Sequence, residues 1–151
     1  VRELNNKVNE TAQGERFITL FIAKYNLVTR NFTYVNAGHN PPLLLDKGGS
    51  ITSLKIGTTG LGMLDDLKKV KEGVMNIEPG AILLCYTDGV VEQENEAEEE
   101  FGTKRLKDIL QHDGRASKIR DINKHIIESV REHKGTKEYV DDIAILACRV
   151  F

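Results

Sequence analysis

One apolar run that leads directly into an aspartate constrains the fold of this 151-residue chain most tightly. Residues 81–85 read Ala-Ile-Leu-Leu-Cys and lead through Tyr86 and Thr87 into Asp88-Gly89. A short apolar run bounded by turn residues is typical of a strand with both faces buried. Because a buried carboxylate is costly unless it is paired or metal-bound, the strand ends either on a functional acid or on a simple turn or helix cap.

Short apolar runs alternate with turn signals along the rest of the chain. Runs rich in branched and aromatic residues predict further strands at 17–23, 32–36, 43–45, 51–54, 74–77 and 143–148. Helical spacing predicts three helices: one at the start of the chain, one capped by Thr103 and one capped by Ser117. Hairpin-linked strands followed by helices favour an α+β fold in which helices cover largely antiparallel sheets.

Several local features of these elements are also predicted. Residues 17–23 are apolar at nearly every position, so we expect this strand, like the closing strand at 143–148, to be buried. Residues 11–15 read as a turn after the first helix, and 46–50 read as a hairpin turn. The order of proline and glycine in residues 78–80 predicts a type II turn.

Charge and composition exclude several classes of partner. The chain has 21 basic and 23 acidic residues and a formal net charge of -2, which leaves no basic footprint for nucleic acid. No apolar run reaches the length of a membrane span, and the start shows no signal-peptide pattern. Cys85 and Cys148 lie in apolar runs, so we expect buried, reduced thiols rather than a disulfide, and a cytoplasmic protein.

Residues 37–42, Ala-Gly-His-Asn-Pro-Pro, form a loop motif. The two prolines end any strand ladder, and Gly38 permits a positive φ or close backbone approach. Histidine serves both as a catalytic acid or base and as a structural hydrogen-bonding residue, so His39 acts either in catalysis or in a local hydrogen bond of a rigid turn. A metal-ligand role is disfavoured because no second histidine or cysteine lies at ligand spacing.

Asp141-Asp142 opens the last strand. Neighbouring carboxylates repel each other, and the strand that follows supplies no counter-charge. Oxygen-rich sites suit Mg²⁺ or Mn²⁺, although such a pair taken alone is more often a solvated strand start. Together with Asp88, the pair makes two acidic strand ends in one small chain, which points toward a metal site.

In this order, the motifs resemble those of the bacterial PP2C-like (PPM-type) serine phosphatases of the SpoIIE/RsbU family. The resemblance extends over essentially the whole chain. It rests on residues 17–21, 37–42, Leu61-Gly62, 78–80, 86–92, Phe101-Gly102 and Asp141-Asp142.

The resemblance implies an α-β-β-α sandwich of two antiparallel sheets, with helices outside and two Mn²⁺ or Mg²⁺ ions at one edge. It implies metal-assisted hydrolysis of phosphoserine or phosphothreonine in a small protein, typically an anti-sigma-factor antagonist, within a bacterial signalling system. By position, Asp88 and Asp141 match the family's metal-binding aspartates. Asp142 and Gly89 stand where they would support the metal.

The resemblance also places Gly38 and His39 in a loop near the metal edge and leaves the role of Glu92 open. The five glutamates at 94, 96, 98, 99 and 100 are interpreted as a solvated loop rather than as ligands.

The sequence departs from the family pattern in two places. The family's first metal motif, an aspartate followed by Gly-His-Gly, would stand before Val1, together with the first strands of the sandwich. We therefore expect residues 1–151 to be the later part of one phosphatase domain, inactive alone and prone to pair with a second copy through open sheet edges. Ala144 stands where the family usually has threonine or serine.

Two functions follow from this reading. The first is the catalytic domain of a phosphoserine phosphatase. The alternative is a catalytically inactive binding or regulatory module with the same fold, which the missing motif and Ala144 favour.

Overall fold

The computed structural model describes residues 1–12, 15–114 and 118–151, and these ranges contain four helices and eight strands. The helices are α1 (Arg2–Ala12), α2 (Asp88–Val91), α3 (Gly102–Asp113) and α4 (Ile119–Lys134). The strands are β1 (Leu20–Tyr25), β2 (Asn31–Ala37), β3 (Leu43–Leu45), β4 (Ile51–Ser53), β5 (Gly57–Thr58), β6 (Gly73–Asn76), β7 (Ile82–Tyr86) and β8 (Ile145–Arg149).

The chain divides into two compact units. The first unit comprises Val1–Pro41 and Leu54–Ile77, and the second comprises Pro42–Ser53 and Glu78–Phe151. Each unit contains one sheet. None of the helices in the described ranges is long and apolar enough to cross a membrane.

The sheet of the first unit is built around β2. This strand pairs antiparallel with β1, from Leu20 opposite Ala37 to Tyr25 opposite Phe32, as the predicted hairpin requires. It also pairs antiparallel with β6 and, over two residues, parallel with β5.

Helix α1 is attached to the first unit through a buried asparagine. Asn5 is fully buried; its Nδ2 donates to the Leu64 carbonyl at 3.0 Å, and its Oδ1 accepts from the Gly62 amide at 2.9 Å. The helix extends to Ala12, so the predicted turn at 11–15 is wrong at its first two residues. Residues 13–14 lie outside the described ranges.

The prediction that residues 17–23 are buried is wrong. The strand begins only at Leu20, and the side chains of Phe17, Ile18 and Ile22 are 59%, 53% and 47% exposed. Within the described ranges β1 pairs with β2 alone, so it lies at the edge of its sheet. An apolar run shows that a segment gains free energy from burial, but it does not show which surface covers it.

The sheet of the second unit has the order β4-β3-β7-β8, with every neighbouring pair antiparallel. The predicted hairpin turn between β3 and β4 is confirmed, because the Asp46 amide donates to the Ser50 carbonyl at 2.9 Å. The turn before β7 is confirmed as well. Gly80 has φ +98°, and the Ala81 amide donates to the Glu78 carbonyl at 3.2 Å, as a type II turn requires.

Helices α3 and α4 cover one face of the second sheet. Alternate residues of β7 enter this core, while the residues between them face the other side. The helices contribute apolar residues at helical spacing. The buried cluster includes Leu43, Leu45, Ile82, Leu84, Tyr86, Leu106, Leu110, Ile122, Ile126 and Val130.

The closing strand is only partly buried, which corrects the prediction for 143–148. Its burial alternates, and Leu146 is 59% exposed. Cys85 is half-buried and Cys148 exposed, and both are free thiols, so a disulfide is correctly excluded but burial of Cys148 is wrong. Burial, and then the neighbouring Cys148, raise the pKa of the Cys85 thiol to about 11.

The predicted cap of α3 is also wrong. The helix begins at Gly102 after Phe101, which itself has helical dihedral angles, and no side chain caps the first turn. Ser117, the predicted cap of α4, lies outside the described residues. The predicted α+β class, with largely antiparallel sheets and flanking helices, is confirmed.

Candidate functional site

Asp88 lies where β7 passes into a short helix. The strand ends at Tyr86, Thr87 has extended dihedral angles, and Asp88 is the first residue of α2. Its side chain is exposed, and its Oδ1 accepts from the Gly89 amide at 3.1 Å. The turn predicted at Asp88-Gly89 is therefore a single helical turn. Only one of the two carboxylate oxygens of Asp88 takes part in this bond.

Asp141 and Asp142 lie in a segment without regular structure between α4 and β8. Both side chains are exposed, and the Asp142 amide donates to Asp141 Oδ1 at 2.7 Å. Since no strand ladder holds this segment before Ile145, its position depends on contacts made by other segments.

Thr87 provides one set of these contacts. Its hydroxyl donates to the Asp142 carbonyl at 2.8 Å and accepts from the Ala144 amide at 2.9 Å. Its amide donates to the Ala144 carbonyl at 3.1 Å. The residue before Asp88 therefore holds the residues that follow Asp141, and both backbone groups of Ala144 have partners.

Gly89 brings the two acidic segments into direct backbone contact. A Cβ atom at this position would lie 2.7 Å from the Asp142 carbonyl oxygen and 2.9 Å from that of Asp141. Only glycine allows α2 and the 141–142 segment to approach this closely. Asp88 and Asp141, far apart in sequence, thus belong to neighbouring backbone segments of the second unit.

The donor set suits a hard divalent cation but is incomplete. Exposed carboxylates, each with one oxygen bonded to a backbone amide, are the ligand type that Mg²⁺ and Mn²⁺ prefer. In the described part of the chain, however, no group of three or more His, Cys, Asp or Glu side chains is arranged to hold a metal ion.

Gly38 and His39 lie in the first unit, whereas all the acidic site residues lie in the second. Gly38 has φ +71°, and a Cβ there would lie 2.7 Å from the Gly60 nitrogen. The buried Asn36 accepts from the His39 amide at 2.9 Å and donates to the Leu54 carbonyl at 3.0 Å. The loop is therefore held by a buried side chain and by close backbone packing. Asn36 was missed, although a polar residue in an apolar strand was a visible signal.

The acidic loop after α2 is tied to the end of α4. The Lys137 ammonium lies 2.8 Å from Glu94 Oε2, and the Thr136 hydroxyl donates to Glu96 Oε1 at 2.8 Å. These bonds from the side chain and backbone of Thr136 lower the pKa of Glu96. Glu96 is exposed and Glu94 is half-buried, which agrees with the predicted solvated loop, and both also accept specific bonds.

Gln93, at the head of that loop, was also missed by the sequence reasoning. It is one of four buried polar or charged residues in the described ranges and is completely inaccessible to solvent. Nothing in a glutamine between two glutamates indicates burial, so the sequence contains no signal for it.

Comparison with models of protein families identifies the family of this chain. The family model described as Stage II sporulation protein E (SpoIIE) matches residues 1–151. The chain belongs to the SpoIIE family. This agrees with the resemblance inferred from the ordered motifs.

Two curated relatives illustrate the likeness of this SpoIIE-family chain. It is 32% identical over 147 residues to protein IcfG of Synechocystis sp., covering 95% of this chain and 23% of IcfG. It is 28% identical over 141 residues to phosphoserine phosphatase RsbP of Bacillus subtilis, covering 93% and 33%. The chain thus spans about a quarter to a third of the length of these relatives.

Solved structures share the fold of this SpoIIE-family chain. The RsbU and RsbW domains of Rv1364c from Mycobacterium tuberculosis match with a TM-score of 0.77 at 23% identity, over 96% of this chain and 39% of that chain. The manganese-presoaked phosphatase domain of SpoIIE from Bacillus subtilis matches at 0.65 and 16% identity, over 87% and 56%. RsbX in complex with magnesium matches at 0.66 and 19% identity, over 97% and 62%.

Proposed function

We propose that this chain is part of a metal-dependent protein serine/threonine phosphatase domain of a bacterial signalling regulator. The observation that carries the proposal is the backbone contact of Gly89 with Asp141 and Asp142. In a SpoIIE-family chain, this contact makes neighbours of the segments that bear the two aspartates matching the family's metal ligands.

Asp88 and Asp141 would hold Mn²⁺ or Mg²⁺ through their exposed oxygens, and Asp142 and Gly89 would support them. When bound, such ions lower the pKa of a water molecule and stabilise the charge that develops on the phosphoryl group. The chain's own residues contribute position. Thr87 holds the 142–144 backbone, and the small size of Gly89 lets the two aspartates approach.

The proposed substrate is a phosphoserine on a small partner protein, such as an anti-sigma-factor antagonist. The similarity to RsbP, a phosphoserine phosphatase, supports the phosphoserine. Two free cysteines in the chain are consistent with the cytoplasm as the site of action. No role at this site is assigned to Gly38 or His39, whose loop lies in the first unit.

The test is Mn²⁺-dependent hydrolysis of a phosphoserine peptide by the full-length protein that contains this chain. We expect Asp88→Asn and Asp141→Asn to lower kcat/KM by more than about 100-fold, because loss of an outer partner of a metal ligand already costs about 10- to 100-fold. Asp108→Asn is the matched control, since Asp108 is an exposed helical aspartate whose carboxylate lies 3.7 Å from the Lys104 ammonium. Activity that survives both site substitutions would refute the proposal.

For the 151 residues alone we expect little turnover, because the described residues supply an incomplete ligand set. Robust hydrolysis by this chain would show that Asp88 and Asp141 suffice.

The second candidate is a binding or regulatory module that performs no hydrolysis. The incomplete ligand set and Ala144 favour it. An upstream coding segment with the pattern Asp-x-x-Gly-His-Gly would support the enzyme. A protein that lacks this segment and binds a phosphoprotein without hydrolysing it would support the module.

A further inference from the structure

Gln93 makes three backbone hydrogen bonds from a fully buried position. Its Nε2 donates to the carbonyls of Glu94 at 3.1 Å and Glu138 at 3.2 Å, and its Oε1 accepts from the Val140 amide at 3.3 Å. A buried amide group that loses its hydrogen-bond partners costs free energy. The buried side chain of Gln93 is therefore stable only where all three partners are in reach. Two of the three reach residues 45 and 47 positions away in the sequence.

The bonded partners lie immediately before Asp141. Residues 135–144 contain no helix or strand, so contacts with other segments determine where this segment runs. Gln93 holds Val140, directly before Asp141, while Thr87 holds Asp142 and Ala144, directly after it. Both holding residues flank Asp88 on its own segment.

The acidic loop reinforces this arrangement. The bonds of Glu94 and Glu96 hold Lys137 and Thr136, and the Glu99 carbonyl lies 2.9 Å from His133 Nε2. The segment that follows Asp88 therefore contacts five residues between the end of α4 and Asp141, namely His133, Thr136, Lys137, Glu138 and Val140.

We propose that Gln93 is a positioning residue, which holds Asp141 at a set distance from Asp88 so that both can bind one divalent cation. The inference rests on the proposed function. The inference adds Gln93 to the residues that shape the proposed metal site. Gln93 contacts neither cation nor substrate and acts only through the backbone at Glu138 and Val140.

The experiment compares Mn²⁺ affinity, measured by the electron paramagnetic resonance signal of free Mn²⁺, among wild type, Gln93→Met and Gln111→Met in the full-length protein. Methionine keeps the length of glutamine but makes none of its hydrogen bonds. Gln111 is the control because it lies in the same unit and donates only to the Gly49 carbonyl, at 3.2 Å.

We expect Gln93→Met to weaken Mn²⁺ binding by about tenfold or more, as loss of an outer partner does, and Gln111→Met to leave it within about twofold of wild type. Equal Mn²⁺ affinity of wild type and Gln93→Met would overturn this inference but would leave the proposed function standing. A wild type that does not bind Mn²⁺ would overturn the proposed function and the inference with it.

A second measurement needs no variant, in case Gln93→Met does not fold. Amide exchange of Val140 in the metal-free wild type should be slower than in an unstructured peptide by at least about tenfold, since its N–H donates to a buried acceptor. Unprotected exchange at Val140 would overturn the inference.

Discussion

Asp113, the last residue of α3, is a buried carboxylate held between two imidazoles. His112 Nδ1 lies 2.7 Å from its Oδ1, and His125 Nδ1, on α4, lies 2.6 Å from its Oδ2. Burial raises the pKa of Asp113, but the hydrogen bonds and charges of the two histidines outweigh burial, so the net pKa is lowered. A single residue thus connects the two helices that cover the second sheet.

This lowered pKa predicts a pH-dependent loss of stability. A carboxyl whose folded pKa lies below its unfolded value of about 3.9 stabilises the fold above that pH, and the stabilisation is lost as pH falls through the folded pKa. We expect Asp113→Asn to reduce the free energy of unfolding by about 1–3 kcal/mol at pH 6. The difference from wild type should shrink below about pH 4.

Urea denaturation at a series of pH values measures this difference. Asp108→Asn, on the exposed face of the same helix, should change the free energy of unfolding by less than about 0.5 kcal/mol throughout. A difference between Asp113→Asn and wild type that stays constant down to pH 2 would contradict the assignment.

At the scale of elements, two glycines of the second unit show different constraints. Gly80 has a positive φ of 98° in the turn before β7 but has open space around its Cα. Gly89 in α2 has ordinary dihedral angles but lies against the backbone of residues 141–142. The first constraint is local, whereas the second depends on a segment that is distant in the sequence.

Alanine at each position separates these constraints. Gly80→Ala should cost about 1–2 kcal/mol through backbone strain and leave Mn²⁺ affinity unchanged. Gly89→Ala should cost about 1–3 kcal/mol through overpacking and also weaken Mn²⁺ binding, because its methyl group displaces the backbone of Asp141. Unfolding curves and Mn²⁺ titration of both variants measure the two effects, and a Gly89→Ala protein that binds Mn²⁺ like wild type would contradict the expectation.

At the scale of the whole molecule, the edge strand β1 makes self-association the expected state. Phe17, Ile18 and Ile22 expose apolar surface beside a strand that pairs on one side only within the described ranges. Unpaired strand edges with apolar side chains are templates for pairing with another chain. We therefore predict that any pairing of two copies runs through β1.

Light scattering over a concentration series tests this dimer. We expect Ile22→Lys to raise the dimer dissociation constant by at least about tenfold, which corresponds to about 1.4 kcal/mol. Val28→Lys is the matched control, since Val28 is 91% exposed in the turn of the same hairpin but lies outside the strand. A wild type that stays monomeric at high concentration would rule out the dimer.

Much of the fold was predictable because its signals are local. The hairpins, the turn at Glu78–Ala81 and the faces of α3 and α4 follow from apolar spacing and from proline and glycine within a few residues. The ordered motifs were sufficient to indicate the SpoIIE family, which the family comparison confirms. Two errors concern exposure, namely the open side of β1 and the half-exposed β8. Two others concern the ends of helices, namely the cap of α3 and the last residues of α1.

The sequence by itself determined most of the elements, two of their turns and the family, because propensity and periodicity act between residues that are close along the chain. Only the tertiary structure decided how Asp88 and Asp141 are related. Thr87 meets Asp142 across 55 residues and Gln93 meets Glu138 across 45. Such contacts depend on how the sheet brings β7 and β8 together, and no local pattern records that pairing. The sequence shows that Asp88 follows an apolar strand. It does not show which residues hold the segment that contains Asp141.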